Sequence, residues 1–158
     1  MILYNTEFKK VSREQYGEKA AEYDLIKLPA MATKKSAGYD FYLPIDVTLK
    51  PGETAKIPTG IRVKIDDGWF LAIYPRSSLG FKYRCQIDNT VGIIDGDYYD
   101  SDKEGHIFVK ITNDSKDGKV MELKAGTAFC QGIFHQYGII AGTQPDTVRN
   151  GGFGSTNK

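Results

Sequence analysis

The chain has 158 residues, 41% of them hydrophobic and 26% charged, enough for one domain with a real core and little room for a second. Twenty-one basic against twenty acidic residues leave a formal net charge of +1, so no global field marks a polyanion binder and any affinity for phosphate must be local. No stretch reaches the length needed to span a bilayer, and no basic segment followed by an apolar run opens the chain, so a cytoplasmic protein is expected.

The first thirty residues differ from the rest. Ser12, with Gln15 three positions on, resembles a capping box, and "SREQYGEKAAEY" predicts one short helix weakened by Gly17. From residue 39 the chain turns to short β-rich runs separated by Pro51-Gly52, Asp67-Gly68, Asp95-Gly96 and Asp117-Gly118. "GIRVKID" alternates, with Ile61, Val63 and Ile65 on one face. "WFLAIYP" is apolar throughout and reads as a strand covered on both faces; "HIFVKIT" and "AFCQGIFHQY" add two more. An all-β barrel or jelly-roll-like sandwich is expected, ending in an extended, flexible arm over 142–158. Cys85 and Cys130 lack zinc or CxxC spacing and read as buried thiols in a reducing compartment.

Several stretches carry chemistry. "PRSSLG" puts Arg76, Ser77 and Ser78 where a buried strand exits, a set that suits phosphate oxygens, although serines capping a short helix would explain the same residues. In "NTVGIIDGDYY", Gly92 interrupts an apolar strand, as happens where a ligand approaches the backbone. Asp95 is either the base that holds a water at an apolar edge or simply the partner of Gly96 in a turn. Gln131 lies in an apolar run, where its amide needs a partner or a ligand. "SAGYDFY" brings small residues before Asp40. The run "DYYDSDKEG" fails as a calcium loop, because Ile111 stands where a bidentate Glu is required, and reads as a solvated acidic loop. No P-loop, GxSxG or deaminase zinc motif is present, and His106 and His135 read as ordinary strand residues.

Five stretches in this order, "AGYDFY", "PRSSLG", "NTVGIIDGDYY", "GTAFCQ" and "RNGGFGST", together resemble the signature motifs of the homotrimeric dUTPase family, with "PTGIRV" similar to the strand between its first two motifs. The resemblance implies a dUTPase-like distorted barrel or jelly roll and cleavage of dUTP to dUMP and pyrophosphate with Mg²⁺. It implies that Asp95 activates the attacking water. Asn89 and the hairpin backbone of Val91, Gly92 and Ile94 would bind uracil, Tyr98 would stack on deoxyribose, and Phe153 would stack on the base. Arg76, Ser77, Ser78, Gln131, Arg149, Ser155 and Thr156 would contact phosphate, with Asp40 structural and near the metal. Mg²⁺ would be held through the triphosphate and waters, without a direct protein ligand. The arm would cross to another subunit of a trimer with shared sites and close as a lid. The resemblance treats 1–158 as one domain, with 1–30 an N-terminal strand and helix segment.

The chain departs from the family pattern in three places. Five residues, Asp100 to Glu104, precede Gly105 after the third motif; Ala128 and Cys130 replace the usual arginine and alanine of the fourth; and the last motif is one residue shorter between Arg149 and Gly151. A dCTP deaminase on the same fold is disfavoured by Lys110, where a catalytic glutamate would align. A nucleotide-responsive binding protein, gripping a partner through the N-terminal segment or the 100–104 loop, is the alternative of another class.

Overall fold

The computed structural model describes residues 2–18, 20–147, 149 and 151. In chain order the elements are β1 (Glu7–Lys10), α1 (Arg13–Tyr16), a 3₁₀ turn (Ala21–Leu25), β2 (Ala30–Met31), β3 (Tyr39–Tyr42), β4 (Val47–Leu49), β5 (Thr54–Pro58) and β6 (Ile61–Lys64). They continue with β7 (Trp69–Pro75), α2 (Ser77–Tyr83), β8 (Gln86–Ile87), β9 (Gly92–Ile94), a second 3₁₀ turn (Gly96–Asp100), β10 (Phe108–Thr112), β11 (Met121–Leu123) and β12 (Ala128–Gln136).

The expected helix forms where the capping box lies: the Ser12 hydroxyl accepts from the Gln15 N–H at 3.0 Å, and Gly17, at φ +135°, ends the helix. A second short helix, α2, follows β7. Arg76 is its N-cap residue and no side chain caps it, so Ser77 and Ser78 open the helix instead of capping it.

The largest sheet runs β2-β3-β12-β7-β9, and smaller sheets pair β5-β10-β8, β1-β6 and β4-β11. β7 is an interior strand, between β12 and β9, and its Leu71, Ala72 and Ile73 are all buried, as its continuous apolar run requires. β12 pairs antiparallel with β7 on one side and β3 on the other, with a register shift between Ala128 and Cys130. One apolar cluster fills the interior, including Phe41, Leu71, Ile107, Met121 and Phe129. Burying side chains of this size stabilises by about 1.5–3 kcal/mol each. Cys85 and Cys130 are both free and buried, and burial raises both thiol pKa values, Cys85 to about 11.

Three local expectations are corrected. β8 and β9 do not pair with each other: β8 joins β10 and β9 joins β7, so Asn89 to Val91 bridges two sheets and is not the tip of a hairpin. His106 is no strand residue. It lies ahead of β10, 1% exposed, with its Nε2 accepting from the Gly60 N–H at 3.0 Å. In the acidic loop Asp100 and Asp102 are exposed, but Ser101 is buried and Glu104 turns toward α1.

Candidate active site

Gly92 faces Ile73 across the β7–β9 pair, and a Cβ there would stand 3.2 Å from the Ile73 Cβ. Glycine lets the two strands close without displacing either. The preceding turn is shaped by Thr90, at φ +69°, whose N–H donates to the Ile87 carbonyl at 2.8 Å, while the Val91 N–H donates to the Asn89 carbonyl at 2.8 Å. This turn and β9 border a cavity of about 310 Å³ to which Asn89, Val91, Gly92, Ile94, Tyr98 and Arg149 all contribute. Ile73 and Phe108 give it apolar walls. A concave apolar space rimmed by a few polar groups is what a planar base with a hydrogen-bonding edge requires.

Tyr98 sits in the second 3₁₀ turn, 4% exposed, and its hydroxyl donates to the His106 carbonyl at 2.8 Å. Burial raises its phenol pKa, opposed in part by Arg149. Asp95 is the residue that opens this turn, accepting the Tyr98 N–H on its backbone carbonyl at 3.2 Å. This bond fixes its backbone, and its carboxylate is partly exposed. Arg149 Nη2 donates to it at 2.8 Å, and Arg149 Nε lies 3.5 Å from Asp97.

A second group forms around β12 and the end of β7. Gln131 on β12 lies opposite Asp40 on β3 and Tyr74 on β7. Its amide donates to the Pro75 carbonyl at 3.2 Å, and a Cβ on Gly38 would fall 2.6 Å from its Oε1. Arg76 Nε lies 3.1 Å from Asp40 Oδ1, so the carboxylate orients the guanidinium fork. Arg76, Ser77 and Gln131 line a cavity of about 590 Å³, whose apolar side is made by Tyr74, Phe81 and Ile133. Ser78 is exposed on the first turn of α2.

The candidate residues thus fall into two sets. Asn89, Val91, Gly92, Ile94, Asp95, Tyr98 and Arg149 are brought together in one; Asp40, Arg76, Ser77 and Gln131 in the other, with Ser78 beside them. Among the described residues, none lines both cavities. Ile73 borders the first and its neighbour Tyr74 the second, and consecutive side chains of a strand point to opposite faces. Phe153, Ser155 and Thr156 lie outside the described residues. Asp97 and Phe108 were not singled out from the sequence. Asp97 had a signal in the repeated aspartate of "DGD", whereas nothing in "HIFVKIT" marks Phe108 as a cavity wall.

A family model for dUTPase matches residues 24–157. The chain belongs to the dUTPase family. The deoxyuridine 5'-triphosphate nucleotidohydrolase of Lactococcus lactis subsp. lactis (strain IL1403) is 39% identical over 134 residues, covering 83% of this chain and 88% of that one. The enzyme of the same name from Nautilia profundicola is 39% identical over 136 residues, covering 83% and 91%. Among solved structures, the Streptococcus mutans dUTPase superposes with a TM-score of 0.68 at 30% identity, over 85% of this chain and 98% of that one. A dUTPase variant from phage phi11 of S. aureus, whose structure reveals the coordination of a structural Mg(II) ion in that protein, shares the fold with a TM-score of 0.66 at 19% identity, over 91% and 98%. This dUTPase-family chain is therefore an all-β member of a group of nucleotide-hydrolysing enzymes, and none of its described helices is long and apolar enough to cross a membrane.

Proposed function

We propose that this dUTPase-family protein, a single domain over 1–158 acting in the cytoplasm, hydrolyses dUTP to dUMP and pyrophosphate, with the active site shared between copies of a homotrimer. The observation that carries the reading is the division just described. The base-sized cavity and the Arg76–Gln131 cavity share no lining residue and are bordered by successive residues of β7, Ile73 and Tyr74, so in this reading a nucleotide spanning base to triphosphate would meet both sets where two copies abut. Exposed apolar side chains support such packing: Phe81 is 94% exposed and Ile93 53%.

In this reading Asn89 and the backbone of Val91, Gly92 and Ile94 read the uracil edge. Cytosine would leave those fixed donors and acceptors unpaired in a closed site, which is a strong basis for discrimination. Tyr98 packs on the deoxyribose, with its hydroxyl already held by His106. Arg76, oriented by Asp40, takes phosphate oxygens together with Ser77, Ser78 and Gln131. Asp95 orders one water and takes its proton as the water oxygen bonds to the α-phosphorus. The bond to the β-phosphate bridging oxygen breaks, and pyrophosphate leaves. Arg149, Phe153, Ser155 and Thr156 belong to the arm that closes over bound nucleotide.

The site's oxygen donors fit Mg²⁺ held through the triphosphate and waters. Carboxylate oxygens stand at Asp40, Asp95 and Asp97, while the described residues hold no group of three or more His, Cys, Asp or Glu arranged for a metal ion. When bound with the triphosphate, Mg²⁺ would neutralise phosphate charge and favour an in-line geometry.

The test is pyrophosphate release with Mg²⁺ from dUTP, dCTP, dTTP and UTP, run beside a solution mass measurement. Release from dUTP alone at a mass of three chains supports the reading. A stable active monomer would remove the shared site. No release from any nucleotide, with dUTP still bound, would favour a nucleotide-responsive binding protein instead.

A further inference from the structure

The 100–104 loop ends in an unusual backbone. Glu104 has φ +53°, and Gly105 follows at +66°. Two left-handed residues in succession lay the loop's end against the turn that carries Tyr98: a Cβ on Gly105 would stand 2.8 Å from the Tyr99 Cα and 2.9 Å from the Tyr98 carbonyl oxygen. Such a conformation in a non-glycine residue persists where its surroundings enforce it.

Two partners enforce it. Glu104 Oε1 accepts from the Ser12 hydroxyl at 2.6 Å and Oε2 from the Ser12 N–H at 2.7 Å, bonds that hold its carboxyl below the usual range. The same serine caps α1, so the loop is tied to the N-terminal helix. Arg62 is the second partner. Its Nη2 donates to the Tyr99 carbonyl at 2.6 Å, its guanidinium lies 3.7 Å from the centre of the Tyr99 ring, and its Nη1 is 3.8 Å from Glu104. Arg62 projects from β6, whose Ile61 and Val63 are buried in the core, so its base is rigid.

We propose that Arg62 is a positioning residue for Tyr98, and that Glu104 and Ser12 complete a tie through which the N-terminal helix shapes the sugar end of the cavity. The inference rests on the reading above, in which Tyr98 faces the deoxyribose. Tyr98 is held at its tip by the His106 carbonyl, on its own backbone by the Asp95 carbonyl and the Ser101 N–H, and through its neighbour Tyr99 by Arg62. A ring pinned at both ends leaves no room for a 2′-hydroxyl. Releasing the Arg62 hold on Tyr99 loosens this turn beside the ring and lets the ring retreat, and the discrimination between deoxyribose and ribose falls.

The experiment compares kcat/KM for dUTP and UTP in the full-length protein, the Arg62→Met variant and the Arg62→Lys variant, with Tm measured for each. A loss of fold lowers activity on both substrates together, whereas loss of positioning lowers their ratio. Arg62→Met is expected to reduce the dUTP/UTP ratio about tenfold, mainly through a better KM for UTP, and Arg62→Lys to restore part of it. Glu104→Gln keeps the shape and loses the charge facing Arg62, so it serves if Arg62→Met does not fold; a ratio reduced about threefold is expected. An unchanged ratio in the folded variants would overturn the proposal. Should the wild-type protein hydrolyse no dUTP, the functional reading fails by itself, and titration of dUMP against UMP decides the positioning claim. A wild-type preference for dUMP that Arg62→Met abolishes would uphold it, and equal preferences in both would end it.

Discussion

The Arg149 guanidinium lies 2.8 Å from the Asp95 carboxylate, and the two side chains are only 21% and 45% exposed. The cation that the arm would bring to phosphate rests, in this structure, on the carboxylate that would activate water. In the proposed reading a triphosphate entering the site would offer Arg149 a more highly charged partner, so nucleotide binding would release Asp95. Asp95→Asn keeps a hydrogen-bond acceptor for Arg149 and loses the base. We expect turnover of dUTP to fall by about 10²–10⁴ with the Kd for a non-hydrolysable analogue changed little. Rapid-quench turnover and calorimetric titration of the same preparation check this, and an equal loss of both would refute the assignment.

Gly38 bears on the other half of the site. A Cβ there would meet Gln131 Oε1 at 2.6 Å, against the far end of a side chain that can swing away. Gly38→Ala should therefore leave stability nearly intact while breaking the Gln131 bond to the Pro75 carbonyl and turning the amide from its cavity. The expected result is a Tm within a few degrees of wild type and a KM for dUTP raised about threefold to tenfold, the value of one ordinary hydrogen bond. A KM equal to wild type would separate Gln131 from phosphate binding.

What the sequence made legible follows from the range of each interaction. The alternation of Ile61 and Val63, the continuous apolar run of β7 and the Ser12 capping box are local patterns, and each became the element it announced. Arg76, Ser77, Ser78, Gly92, Asp95 and Gln131 stood out by residue type and local setting, each beside a plain structural explanation, whereas Asn89, Val91, Ile94, Tyr98 and Arg149 were nameable only through the ordered motifs. Their division was not legible, because it depends on which face of β7 each segment joins. Gln131 meets Asp40 through the register of β3 on β12, past an irregularity between Ala128 and Cys130 that no pattern in "GTAFCQ" displays. Glu104 looked like part of a solvated acidic run because its partner, Ser12, is 92 residues away. His106 looked like a strand residue for a similar reason: it is defined by Gly60, 46 residues earlier, and not by its neighbours in "HIFVKIT".

That buried histidine gives the fold a pH dependence whose sign can be worked out. Burial lowers the His106 pKa from 6.5 to about 4, opposed by Glu104 and aided by Lys56. Its Nε2 accepts from the Gly60 N–H, so the native state requires the neutral ring. The unfolded chain binds the proton from pH 6.5 downward, while the folded protein resists until about pH 4. The neutral histidine's contribution is therefore complete above pH 6.5 and is lost as pH falls toward 4, by up to about 3 kcal/mol across that window. Glu104, whose carboxyl lies below its ordinary value, contributes stability that fades at more acidic pH, beneath most of this window. Denaturant unfolding at pH 7.5, 6, 5 and 4.5 should show the decline. In His106→Gln the side-chain oxygen replaces Nε2 as acceptor and nothing titrates, so the slope between pH 6.5 and 5 should flatten while stability at pH 7.5 drops by about 1 kcal/mol or less. A slope unchanged in that variant would assign the acid sensitivity elsewhere.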